Sequence, residues 1–375
     1  MAAAVAGPGV PYFPEGQAGV EFGSQHRQAL IECRLDSAHD LAALLSALQL
    51  RERDQKDQRV YCEASSRGLK FTAQSIAKDV AVLGWIFSEA FREYRFASEY
   101  EDLHLKLPVA PLLSCLQIFS DRAALVLSYP SGPADELRFT LEEEGATTEC
   151  CLRTMVLDEA PAPINSFFAP GDLLSVFRPM QPEGWYQALS EFQDLDAPDV
   201  ALQISLYSGM APGAAPGIVP SRKVVLRAQT LTSDAEVEVP QSSLDELEVP
   251  SELAVNGVVT HRYLLTSVLA SCLRAAKDAK AVKVRFNRGG VMSNQFILRG
   301  RGHRDLFCES LVCPLAEPSA AGAAYSSTAA SHAGDARADS LMSQGMALGG
   351  SMGGNPYMSL SSGAAMGVAQ ESTAF

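Results

Sequence analysis

Residues 108–155, PVAPLLSCLQIFSDRAALVLSYPSGPADELRFTLEEEGATTECCLRTM, carry the change of period that decides the fold. Val109, Leu112, Leu113 and Leu116 are spaced i, i+3, i+4, i+7, which places all four on one face of a short helix. Pro108 ahead of them suits a first helical turn, where a missing N–H costs nothing. Immediately behind, the apolar residues alternate or are β-branched. The runs 123–129, 137–143 and 147–155 read as strands, the last two forming a hairpin through Glu142-Glu143-Glu144-Gly145. One short helix followed by antiparallel strands is the unit.

Outward from this stretch the unit recurs. Leu41, Leu44, Leu45 and Leu48 repeat the helical spacing behind Ser37-x-x-Asp40, a capping pattern. Trp185, Ala188, Leu189 and Phe192 do so again, as do Leu265, Val268, Leu269 and Cys272. Strand-like runs lie between them, at 29–35, 58–63 and 69–75 in the first half. The second half offers 200–207, 222–230, 234–239, 280–286, 292–299 and 304–312. Strand, helix, strands, helix, strands, all given twice, predicts an α+β fold of two tandem domains, each with two helices on an antiparallel sheet. The expected boundaries are domain 1 at 28–155, a connector at 156–169 marked by Pro161 and Pro163, and domain 2 at 170–315. Residues 1–27 read as a loose Gly/Pro-rich arm and 208–221 as a hairpin insertion. Residues 316–375 read as a disordered tail of Ala, Gly, Ser and Met.

Composition narrows the function. The 375 residues are 47% hydrophobic and 20% charged, enough apolar material to bury a core across most of the chain. No apolar run approaches the roughly 20 residues of a spanning helix, and no basic residue precedes Arg27, so no membrane span or leader is expected. The net charge of -14 opposes tight nucleic-acid binding by the chain alone, because such binding runs on Lys and Arg displacing counterions from phosphate. The eight cysteines lack C-x-x-C spacing, and adjacent Cys150 and Cys151 point to opposite faces of a strand. They read as ordinary buried thiols of a reducing compartment, and the six histidines show no ligand spacing. No cofactor and no metal is expected.

Local sequence sharpens the pattern. Leu112-Leu113-Ser114-Cys115-Leu116-Gln117-Ile118-Phe119 resembles the second helix of the Rad-one subunits of the heterotrimeric DNA-damage checkpoint clamp, the nine-one-one complex. These are members of the proliferating cell nuclear antigen-like sliding-clamp superfamily. The hairpin from Leu137 to Cys150 is similar too, as are Gly68-Leu69-Lys70-Phe71-Thr72, Gly84-Trp85-Ile86-Phe87, Trp185 to Leu195 and Asp199 to Ser205. The resemblance spans about 28–315. It implies a nuclear, non-catalytic ring subunit with two paralogous partner subunits, loaded around DNA by a clamp loader and recruiting checkpoint and repair proteins.

The resemblance also assigns residues. Ring-closing edge strands are expected at 147–155 and 222–230, with Cys151, Leu152, Val224 and Val225 at the subunit interface; interior strands of one domain would read the same. The connector residues Ile164, Phe167 and Phe168 are expected to dock partner peptides, or else to begin the second domain. Helices should line the hole, yet 37–49, 108–119 and 184–193 contain no Lys or Arg. Arg51, Arg53, Arg122, Arg262, Arg274 and Lys277 are left as DNA-facing cations. That sparse lining opposes the alternative of a homotrimeric replication clamp.

A third reading is a metal-dependent 3'-5' exonuclease, an activity attributed to the family. Asp234, Glu236 and Glu238 alternate and would share one strand face, as a two-metal site requires, but a solvated sheet face gives the same pattern. Arg285, Arg288, Arg299, Arg301, His303 and Arg304 form the densest basic group, read as a hairpin tip more than as a phosphate contact. Gly349-x-Ser351-x-Gly353 matches a hydrolase elbow by letter but lacks the flanking strand and helix that this chemistry needs.

Overall fold

The computed structural model describes residues 29–50, 58–97, 102–118, 120–131, 135–157, 172, 174–195, 199–209, 222–301 and 305–316. The N-terminal arm, most of the connector and of the 208–221 insertion, and the tail beyond 316 lie outside the described residues. So do Arg51, Arg53, Ile164, Phe167, Phe168, His303 and Arg304.

The first half runs β1 (Ile31–Leu35), α1 (Ala38–Ala47), β2 (Arg59–Ser65), β3 (Gly68–Gln74), β4 (Val80–Phe87), β5 (Glu93–Phe96), β6 (Leu103–Pro108), α2 (Val109–Leu116), β7 (Ala124–Ser131), β8 (Glu136–Glu143) and β9 (Ala146–Arg153). The second half repeats it: β10 (Ser175–Pro179), α3 (Pro182–Ser190), β11 (Ala201–Ser208), β12 (Arg222–Gln229), β13 (Asp234–Pro240), β14 (Leu244–Glu248), β15 (Val258–Leu264), α4 (Leu265–Asp278), β16 (Ala279–Phe286), β17 (Met292–Arg299) and β18 (Asp305–Val312). The repeat expected from spacing is therefore complete, element for element.

The helices form where the spacing places them. Each of the four apolar quartets named above is buried, and a buried Leu-sized side chain contributes about 1.5–3 kcal/mol. Ser37 caps α1 with its Oγ, accepting from the His39 N–H at 3.2 Å. Asp40 does not complete a capping box. It is buried and accepts the Arg301 N–H at 2.8 Å, from the far half of the chain. Pro108 closes β6 and stands at the N-cap of α2, one residue before the helix.

Among the described residues three sheets result, antiparallel throughout. Their strand orders are β5-β1-β7-β8-β9, β13-β12-β11-β15, and a nine-stranded β14-β10-β16-β17-β18-β4-β3-β2-β6. The last is two sheets joined. Its first five strands are the second-half counterparts of β5-β1-β7-β8-β9, and its last four are the first-half counterparts of β13-β12-β11-β15. The join is β18 against β4, with Cys308 opposite Gly84 and Val312 opposite Val80. The helices α1 and α4 pack across it. A Cβ on Gly84 would lie 2.8 Å from Leu44 Cδ1, so α1 sits this close to the join only because Gly84 has no side chain.

Sequence periodicity missed β4, β5, β6, β10, β14 and β15. Buried at every residue but Trp85 and Phe87, β4 (VAVLGWIF) lacks the alternation of a one-sided strand. β5, β10 and β14 are four or five residues long, and β6 and β15 run directly into helices.

All eight cysteines are free; Cys33, Cys62, Cys272 and Cys308 are buried and Cys151 is exposed. Burial pushes the Cys272 thiol up to about 11 and Cys62 up to about 12, which leaves both protonated and unreactive near neutrality.

One half-buried histidine gives a pH dependence. His261 of β15 stacks on Phe286 with ring centroids 5.3 Å apart, and burial holds its imidazole below the usual 6.5. The folded state therefore takes up a proton less readily than the unfolded chain. This contribution to stability is complete above pH about 6.5 and is lost as pH falls from there through the lower folded value. Urea midpoints are expected to drop between pH 7 and 5.5, and His261→Phe is expected to flatten part of that slope.

Candidate subunit interfaces and DNA-facing helices

Of the six end strands of the three sheets among the described residues, two are the counterparts of the strands joined at β18–β4. β9 ends the five-stranded sheet and β13 ends the four-stranded one. Along β9, Thr148, Cys150 and Leu152 turn inward, opposite Leu141, Phe139 and Leu137 of β8, and Cys151 faces out. The expected interface residues Cys151 and Leu152 thus lie on an edge. Val224 and Val225 do not.

β12 is paired on both sides, by β11 and by β13, so the edge expected at 222–230 belongs to β13 instead. Cross-strand charge explains the choice. Lys223 Nζ donates to Glu238 at 2.6 Å, and the Arg227 guanidinium donates to Glu236. The alternating acids that made 234–239 look solvated are the complement of the bases on β12. Along β13, Ala235, Val237 and Val239 pack against the core from the other face.

The same pairs bear on the exonuclease reading. Glu236 and Glu238 are held by cations, and no group of three or more His, Cys, Asp and Glu suited to a metal ion occurs among the described residues.

The two open edges are counterparts of the two strands already joined. β9 is the first-half equivalent of β18, and β13 is the second-half equivalent of β4. The β18–β4 join within the chain is hence a template of how a strand of the β9 type pairs with one of the β13 type. Beyond the strands, three contacts lock the template. Arg301 bonds Asp40 and Asp121, Arg274 donates to the Ser46 carbonyl at 3.2 Å and to Gln49, and Ser267 Oγ donates to Asp79 at 2.7 Å. Asp121 also takes His39 at 3.3 Å. Nothing in the spacing signals the three contacts across the join, because their partners are 180 or more residues apart.

The helices lie side by side in the order α2, α1, α4, α3. A groove of about 720 Å³ runs among them, bordered by His39, Ser46, Asp121, Arg274, Lys277 and Arg299, a mixture of signs. Of the cations expected to face DNA, Arg122, Arg262 and Lys277 are exposed. Arg274 is committed to the end of α1. In the basic group, Arg285 is half-buried on Glu309 at 2.9 Å and Arg301 holds the join, while Arg288 stays exposed in its turn.

No curated protein matches the chain. Among solved structures it is similar to the proliferating cell nuclear antigen of Entamoeba histolytica, with TM-score 0.57 and 13% identity over 77% of this chain and 100% of that one. It is equally similar to a chain of the PCNA2–PCNA3 complex of Sulfolobus tokodaii, with TM-score 0.57 and 14% identity over 76% and 100%. The fold is that of the sliding clamps. The family model for the repair proteins Rad1/Rec1/Rad17 matches residues 30–298, which takes in both halves from β1 to β17, and the chain belongs to that family.

Proposed function

We propose that the chain is a non-catalytic subunit of a checkpoint sliding clamp, a heterotrimeric ring that encircles DNA in the nucleus. The observation carrying this reading is the pair of open edges, β9 and β13, whose internal counterparts β18 and β4 are already joined. Two domains per chain with one join inside leave one donor edge and one acceptor edge, the requirement for closing a ring head to tail. The absence of Lys and Arg from α1, α2 and α3 fits a subunit that holds DNA by topology and leaves positive charge to its neighbours. In this reading a clamp loader opens the ring, and checkpoint and repair proteins dock on it once it is closed.

The test separates encirclement from Coulomb attraction. Rings assembled with the two paralogous subunits and loaded on circular DNA are expected to survive salt that strips charge-bound proteins. They should leave within minutes once the circle is cut. Loss from intact circles at the same salt would refute encirclement, and a stable homotrimer of the chain alone would refute the heterotrimer.

A further inference from the structure

The internal join specifies what the open β13 side must receive. Within the chain α1 lies between two helices, α2 and α4, and from α4 Arg274 reaches the Ser46 carbonyl and the Gln49 side chain. Ser46 is in the last turn of α1, where carbonyls lack helical partners and the helix dipole is negative.

α3 repeats that receptor. Leu45-Ser46-Ala47-Leu48-Gln49 corresponds to Leu189-Ser190-Glu191-Phe192-Gln193, with Leu45 and Leu48, like Leu189 and Phe192, buried. Ser190 and Gln193 therefore stand on the flank that Ser46 and Gln49 occupy. α4 packs on α3 in the place α2 holds beside α1, which leaves on α3 the flank that α4 covers on α1. Gln193 is exposed there, and the Ser190 carbonyl takes a long contact of 3.4 Å from Gln193 Nε2. Exposed Glu191 and Asp194 stand where α1 has Ala47 and Leu50, so the open receptor is the more negative of the two.

The chain's own second helix offers no cation for it. Leu112 and Leu116 of α2 correspond to Val268 and Cys272 of α4, which puts Ile118, 52% exposed, in the place of Arg274. We infer that the subunit closing onto β13 carries an arginine or lysine at the C-terminal end of its second helix, seated on the Ser190 carbonyl and the Gln193 side chain. A second copy of this chain would bring Ile118 instead and leave the receptor unfilled, which selects a different subunit on this side.

This assignment rests on the ring proposed above, and the test keeps the two apart. The chain is co-expressed with the two paralogous subunits, and a photo-crosslinking residue replaces the exposed Gln193. If no ring assembles with the wild-type chain, the ring reading itself has failed. If the ring assembles, the crosslink is expected to map to the end of the partner's second helix, at or beside an Arg or Lys. Gln193→Lys combined with Asp194→Lys is expected to weaken assembly at least tenfold without lowering the melting temperature of the isolated chain, and Gln193→Glu is expected to preserve it. A crosslink to a helix end without a cation, or a doubly substituted chain that assembles like wild type, overturns the assignment.

Discussion

Proline placed in β13 is expected to break the ring and spare the subunit. On an edge strand successive N–H groups point alternately to the paired neighbour and to the open side. Of Glu236→Pro and Val237→Pro, one therefore removes an outward donor and the other a bond to β12. The outward one should weaken assembly at least tenfold, the equivalent of about 1.4 kcal/mol and of the order of one lost backbone hydrogen bond plus a poorly fitting ring at the interface. Its isolated chain should melt close to wild type. Val225→Pro in β12 should behave oppositely, because every β12 position is flanked by strands on both sides and the four-stranded sheet loses a ladder bond whichever way the N–H points. Leu152→Pro tests the β9 edge in the same manner. Assembly constants with the paralogous subunits, read beside circular-dichroism melts, decide it. Two β13 variants that both assemble normally would show that ring closure does not use this edge.

Gly68→Ala is expected to be the most damaging single methyl in the first domain. Gly68 opens β3 at φ +129, outside the region where L side chains are comfortable. A Cβ there would lie 2.2 Å from the Ile86 carbonyl oxygen and 2.8 Å from the Ser88 nitrogen, both backbone atoms of the adjoining strand end. No rotamer change relieves a clash with backbone, so β3 must part from β4 or the hairpin must rebuild. A cost of about 3 kcal/mol or more follows, which for domains of this size lowers the melting temperature by about 10 °C. Since β4 also carries the β18 join, the loss should reach the second half, and both domains should melt together. A variant melting within 2–3 °C of wild type would mean that the turn tolerates a side chain and that the strain argument is wrong.

The fold was legible in the sequence wherever one face of an element meets solvent. All four helices were readable because each buries one stripe and exposes the other, and strands such as β8 and β16 alternate for the same reason. β4 was invisible to that logic, since a strand sandwiched at a join has no polar face to set its period. The acidic strand β13 was read as solvated outer sheet, correctly for its side chains, and yet its backbone edge was assigned to β12. Side-chain periodicity reports which face is wet, but it says nothing about which neighbour takes the N–H groups. Pairing of Arg227 with Glu236 directly opposite and of Lys223 with Glu238 on the diagonal was the available signal, opposite charges on one face of adjacent runs. The contact of Arg274 with α1 was hidden for a comparable reason. Its carbonyl acceptor on α1 lies 228 residues away in sequence, beyond any local pattern.

The β18–β4 join has a consequence for how such assemblies come apart. Its two sides belong to one molecule, so each meets the other at an effective concentration that dilution of the sample leaves unchanged, on the order of millimolar for a short flexible tether. In the proposed ring, the edges β9 and β13 would meet other chains only at the concentration of those chains. Diluting an assembled ring should therefore release intact two-domain crescents in a concentration-dependent step, with the internal seam closed until the chain itself unfolds.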